Sequence, residues 1–292
     1  MSGHGLLYPL IALMMLLWSA NFIIAKVAVR EIPPLLLSAL RVALAGLFIL
    51  PIYRWSRRNG QTWAKGDLRL LVALGVFGVA LNQVFFVAGI SRTSVAHSAL
   101  LIGITPLMVL LIAAATGQER LSARKILGML IALAGVAILN ISPAPAGAGG
   151  ATLAGDLLTL LATLTFALFT VLGKEVTERC GTIAVNTVAY TGGALALSPV
   201  VVWNAGSFAF AEVSWSAWAS LLYMALFPSV VCYLIYFHAL SRIPASRVAA
   251  FSYLQPLIAT LMGVVLLGER ISIPLAAGGS VIFAGVYLTE RG

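Results

Sequence analysis

The sequence predicts an all-α integral membrane protein whose ten transmembrane helices form two five-helix repeats of inverted topology, and three observations carry that prediction. The first is composition: 61% of the 292 residues are hydrophobic and 9% are charged, where a soluble domain carries roughly 25% charged residues. The mean hydropathy is +1.04. The second is a repeat. Residues 91–139 align with residues 241–289 at an offset of 150 without a gap, with thirteen identities. They include Pro106 with Pro256, Glu119-Arg120 with Glu269-Arg270, Gly128 with Gly278, and Ala134-Gly135-Val136 with Ala284-Gly285-Val286. Matched leucines would mean little in so apolar a chain, but a proline, a Glu-Arg dipeptide and two glycines in one register point to duplication. The third is the placement of positive charge. With a cytoplasmic N-terminus, thirteen Lys and Arg residues between Arg54 and Arg291 fall on the inside, while Lys26, Arg30, Arg92 and Arg270 fall outside and Arg41 stays within a span. Both termini are therefore expected in the cytoplasm, in a cell inner membrane.

Each span is an apolar run near the length that crosses a bilayer, closed by charge, Pro or Gly. In order they are Leu7–Val27, Leu35–Tyr53, Leu68–Ile90, Val95–Thr116 and Ile126–Leu139, then Leu157–Val176, Ile183–Val202, Ala217–Leu240, Ser246–Leu267 and Pro274–Leu288. The first is read as a retained span and not a cleaved leader, because no Lys or Arg precedes it and the run continues through Phe22-Ile23-Ile24. The fifth and tenth are short, and snorkelling charges at their flanks extend their reach. Asn140 to Gly155 is an uncharged Pro/Ala/Gly stretch that reads as a connector. The repeats are thus expected at 1–145 and 156–292, joined through 146–155. Since five is odd, the second unit must enter the membrane from the side opposite to the first, the arrangement that supplies alternating access in secondary transporters.

Polar and aromatic residues inside spans should face the interior or a cavity, because hydrocarbon offers them no partner. The residues singled out for substrate binding are Trp18, Asn21 and Phe22 on the first span, Asn82, Gln83 and Phe86 on the third, and Ser98 on the fourth. In the second half they are Phe166, Tyr190, Tyr233, Tyr253 and Gln255. Aromatics interleaved with neutral amides and hydroxyls suit a small molecule with an apolar body and a few polar atoms. Pro106 and Pro256 each remove a backbone donor in mid-span, which makes either a gate hinge or a packing bend. Gly128, Gly135, Gly278, Gly279 and Gly285 are expected to permit close helix approach. Glu119-Arg120 and Glu269-Arg270 are expected to cap or pair at span ends. No grouping of Cys, His and carboxylate has metal-ligand spacing, and no phosphate-binding Gly-rich loop occurs, so neither metal, cofactor nor ATP drive within the chain is expected. The basic residues stand singly at span ends, not in a nucleic-acid patch. The expected partners are a small-molecule substrate and membrane lipid, for a monomer or weak homodimer.

The segment Trp18-Ser19-Ala20-Asn21-Phe22 with Lys26, then Pro33-Pro34 with Arg41, the doubled Pro106…Glu119 and Pro256…Glu269 elements, and Lys174 answering Lys26 together resemble the drug/metabolite transporter superfamily in its ten-span EamA-type branch. In length and aromatic-rich spans the chain is similar to aromatic amino-acid exporters of the YddG type. The resemblance implies export of amino acids or related metabolites from the cytoplasm through a central cavity. All nine acidic residues fall in loops or at span edges, and a proton-driven exporter needs a membrane carboxylate or histidine to couple the two fluxes. The expectation is therefore a facilitator, with a proton-coupled efflux antiporter using His97 as the alternative. An intramembrane enzyme or a membrane scaffold is the alternative from another class; the first would need paired embedded aspartates or a Gly-x-Ser-Gly run, and neither is present.

Overall fold

The computed structural model describes residues 6–58, 68–93, 98, 101–139, 152–255, 257–258, 261–262 and 273–292, and the regular elements among them are helical. They are α1 (Leu7–Ala28), α2 (Pro34–Arg58), α3 (Leu68–Arg92), α4 (Thr105–Ala115), α5 (Ala123–Leu139), α6 (Leu153–Cys180), α7 (Thr182–Asn204), α8 (Trp215–Leu240), α9 (Ala245–Ala250) and α10 (Ile273–Glu290). Six of them, α1 to α3 and α6 to α8, are long and apolar enough to cross a membrane. Their outer faces expose side chains such as Leu47, Leu195 and Phe227. His97, Pro256 and the Glu269-Arg270 pair lie outside the described residues, as does residue range 140–151.

Two expected boundaries are corrected. Helix α6 starts at Leu153, so the last three residues assigned to the connector are helical. The cause is local: Thr152 stands in extended conformation, its Oγ1 accepts from the Gly155 amide at 3.1 Å, and Asp156 sits in the first turn, where a carboxylate complements the helix dipole. The expected fourth span is also not one uninterrupted helix. The chain turns at residues 103–104 and α4 restarts at Thr105, which places Pro106 in a first turn where its missing N–H costs nothing.

Helices α3 and α8 each widen into a π-helical segment, Gly75–Leu81 and Ala225–Val231, at the same offset of 150. In α8 the reason is Pro228, which cannot donate to the ladder, while Ser229 Oγ donates to the Met224 carbonyl at 2.9 Å. In α3 the segment carries Gly75 and Gly78, which admit neighbouring helices. A Cβ on Gly75 would stand 2.5 Å from the Ala189 carbonyl oxygen.

The expected glycine crossing is present. A Cβ on Gly128 would lie 2.5 Å from Thr289 Oγ1 and one on Gly135 would lie 2.7 Å from the Ile282 amide, while Gly285 abuts Ala132. Positions that rise along α5 meet positions that fall along α10, so these two helices run antiparallel. Helices α2 and α7 do the same, with Val42 against Gly193 and Gly46 against Tyr190.

Two carboxylates tie early helices to late ones at opposite ends of the bundle. Glu31, just after α1, accepts from the Ser214 amide at 2.6 Å and from Ser214 Oγ at 2.7 Å at the start of α8. Those bonds hold its carboxyl below the usual carboxylate range. Glu119, between α4 and α5, accepts from Lys125 Nζ at 2.7 Å, from the Ser246 amide at 3.0 Å and from Ser246 Oγ at the start of α9. Burial works to raise its carboxyl, but the hydrogen bonds from Lys125 and Ser246 and the Lys125 charge prevail and hold it low. Tyr8, at the far end of α1 from Glu31, donates to Glu290 Oε1 at 3.0 Å and packs against Phe251 beyond α9. The length of α1, about 33 Å at ~1.5 Å per residue, therefore separates the two ties.

Candidate functional site

A cavity of about 100 Å³ lies among α1, α2, α3, α6, α8, α9, the start of α4 and the residues after α9. That is several times the room one water needs. Of the residues expected at the site, Trp18, Asn21, Phe22, Asn82, Gln83, Phe86, Phe166, Tyr233 and Gln255 line it. Three others are elsewhere. Tyr190 is fully buried behind the wall, edge-on to Tyr233 at 5.5 Å. Tyr253 is buried in the cluster that packs α5 and α10, and Ser98 is buried outside the lining.

The apolar wall is an aromatic group centred on Trp18. Its ring centroid lies 5.9 Å from Phe166, 5.9 Å from Tyr233 and 5.5 Å from Tyr236, in edge-on and tilted geometries. Trp18 Nε1 donates to the Pro228 carbonyl at 3.1 Å, so the widened turn of α8 supplies the acceptor that holds the indole. Phe22 and Phe86 add a second pair at 5.9 Å.

The polar wall is oriented by a short relay. Asn82 Nδ2 donates to the Ala162 carbonyl at 2.7 Å, which leaves Asn82 Oδ1 to accept from Gln83 Nε2 at 3.3 Å. Because the relay ends on a carbonyl, both amide orientations are fixed. Among the described residues, Gln83 Oε1 is left as an acceptor without a partner, and so is Asn21 Oδ1.

The lining repeats across the two halves. At the offset of 150, Gln83 answers Tyr233, Phe86 answers Tyr236, Ile102 answers Ser252 and Thr105 answers Gln255, and each of these residues lines the cavity. At the offset of 148 that relates Lys26 to Lys174, Met15 answers Thr163 and Trp18 answers Phe166, again all in the lining. The π-helical segments explain part of this. Each ends just before the lining residues it presents, Asn82-Gln83 in α3 and Tyr233 in α8.

Arg41 breaks the pattern; the sequence reading left it inside a span without a task. It lines the cavity at 2% exposure. Its Nε donates to Ser229 Oγ at 2.9 Å, and its Nη1 has no partner among the described residues. Among the described residues, the groups that act on its charge are Tyr190, Tyr233 and Cys232, none of them a carboxylate. A charge within an apolar run is itself the signal that marks such a residue. Tyr236, Thr163 and Ser252 also line the cavity and were not among the expected site residues.

Set beside known proteins, the chain is 25% identical to YedA, an uncharacterised inner membrane transporter of Escherichia coli K12, over 94% of this chain and 87% of that one. It is 29% identical to a probable terminal-alkyne amino-acid exporter of Streptantibioticus cattleyicolor, over 77% and 74% of the two chains. A solved crystal structure superposes with a TM-score of 0.76 at 20% sequence identity, covering 97% of this chain and 95% of the other, which shows a shared fold. The EamA-like transporter family matches twice, over residues 6–141 and 153–291. A helical, multi-pass membrane chain matched along nearly its whole length by two such units belongs to the EamA-like transporter family.

Proposed function

We propose that the protein is a secondary transporter that exports amino acids, aromatic or otherwise neutral, or related small metabolites from the cytoplasm by alternating access, working as a facilitator. The observation that carries this reading is a cavity lined by residues standing at equivalent positions in the two family-matched units. A site shared between two related units can be exposed to either side by exchanging their conformations. The antiparallel courses of α2 against α7 and of α5 against α10 support inverted five-helix units, the first at 1–145 and the second from Thr152 onward. The ten apolar runs and the 13-to-4 inside excess of Lys and Arg in the sequence support ten spans with both termini in the cytoplasm. The relative named an amino-acid exporter supports the substrate class. The facilitator reading draws support from the described acidic residues, all of which stand in loops or within the outer two turns of helices.

Purified protein in liposomes should exchange a labelled neutral amino acid with no imposed pH gradient or voltage, in a counterflow panel of such compounds. Uptake that requires a proton gradient and vanishes on replacing His97 would establish antiport instead. Reporters fused after Gly292 and inserted near Gly147 should report the cytoplasm and the exterior, and the same side for both would remove the inverted repeat.

A further inference from the structure

We infer that Arg41 is the recognition point for a substrate carboxylate, and that the cavity is built for a zwitterionic amino acid with an apolar side chain and not for an amine. The inference rests on the transport reading above and sharpens its substrate class. A guanidinium buried in a membrane protein is costly unless something neutralises it. Among the described residues no Asp or Glu lines the cavity and no ion pair includes Arg41. The Nε bond to Ser229 fixes the plane of the fork, while Nη1 remains without a partner. A planar donor fork held at one edge matches the two oxygens of a carboxylate. Opposite chemistry stands on the neighbouring helices. Among the described residues, Asn21 Oδ1 and Gln83 Oε1 are both buried acceptors without partners, as an ammonium group with three donors requires. The aromatic group of Trp18, Phe166, Tyr233 and Tyr236 completes the site with a surface for an apolar side chain. The same guanidinium repels an amine that lacks the carboxylate.

The test uses three probes of one shape, L-phenylalanine, 3-phenylpropionate and 2-phenylethylamine, and the corresponding three of the leucine skeleton. Binding to the detergent-purified protein is read by titration calorimetry and thermal shift, and flux is read in liposomes. The wild type should bind the amino acid best, the acid more weakly and the amine not at all. Arg41→Gln should weaken both carboxylates at least about tenfold, as loss of a charge-assisted bidentate contact implies, and Arg41→Lys should retain part of the affinity. Asn21→Leu should weaken the amino acid and spare the acid. Because no carboxylate among the described residues neutralises the buried charge, unliganded Arg41→Gln should melt at or above the wild-type temperature, which separates loss of recognition from loss of fold. Amine binding equal to that of the acid, carboxylate binding unchanged in Arg41→Gln, or no carboxylate bound from either series would each overturn the inference. Flux of amines independent of Arg41 would also overturn it while leaving transport standing. Arg41-dependent carboxylate binding without any flux would uphold the site and sink transport instead.

Discussion

The two halves agree in backbone and disagree in charge. The widened turns of α3 and α8 fall in one register, as do the glycines of α5 and α10 and the lining pair Gln83 with Tyr233, while Trp18 with Phe166 match at the offset of 148. Against this stands Arg41, whose counterpart at the offset of 148 is Ala189, a residue packed on Gly75 outside the lining. Geometry, which any transporter of this architecture needs twice, is kept twice. Recognition, which one substrate molecule needs once, is kept once.

The sharpest way to break the comparison is at the glycine seam. Gly135→Leu and Gly285→Leu place atoms where a neighbouring backbone already lies, and the helices cannot part without losing their other contacts. Each should cost about 3 kcal/mol or more and leave little monodisperse protein on size exclusion. Gly192→Ala, whose Cβ would meet nothing nearer than 3.7 Å, should be near neutral. Next come the paired aromatics. Trp18→Ala and Phe166→Ala should each reduce counterflow, the tryptophan by roughly thirty-fold or more for the loss of an anchor worth about 2–4 kcal/mol, with the melting temperature tracked as control. A fall confined to one of the two would mean that the halves do not share the substrate.

The two carboxylate ties give a smaller effect. Glu119→Gln removes a nearly enclosed ion pair and its bond to the start of α9, and should cost about 1.5–3 kcal/mol at pH 7. Glu31→Gln should cost less, since that carboxylate is solvated and its bonds are screened. Both carboxyls are held below their ordinary value, so their contribution is complete above about pH 4.3 and fades as the pH falls through the lowered range. Thermal melts of wild type and Glu119→Gln should therefore differ at pH 7 and converge under acid. A gap that persists at low pH would assign the effect to packing. Since the ties close opposite ends of the bundle, their loss should shift accessibility in opposite senses, read by cysteine labelling from either side.

The spans, the duplication and the seam were legible because each is written in residue types: apolar length, a shared proline, glycines in register. Which face each helix turns inward was not. Helices that are apolar all round carry no stripe to read. Tyr233 and Tyr236 reach the cavity while Tyr190 and Tyr253, of identical chemistry, stop behind its wall. The difference is an angle, and the π-helical segment and the restart at Thr105 both reset that angle in ways no 3.6-residue period anticipates. The charge of Arg41 was visible, but the lack of a carboxylate beside it among the described residues was not, because that depends on what every other helix brings near it.

The widened turns also carry a record of descent. Gly75–Leu81 and Ala225–Val231 share one residue, Phe77 with Phe227, and the local causes differ, glycines in one and Pro228 in the other. A deformation that outlasts the residues sustaining it is older than they are, so it belonged to the single ancestral unit before the gene doubled. The lone cation has the reverse history. An ancestor assembling as two identical chains would have brought either no arginine or two to a common chamber, and two guanidinium charges in so small a space would repel one another. Fusion into one polypeptide freed the copies to differ, and discrimination by a single fixed charge became available only then.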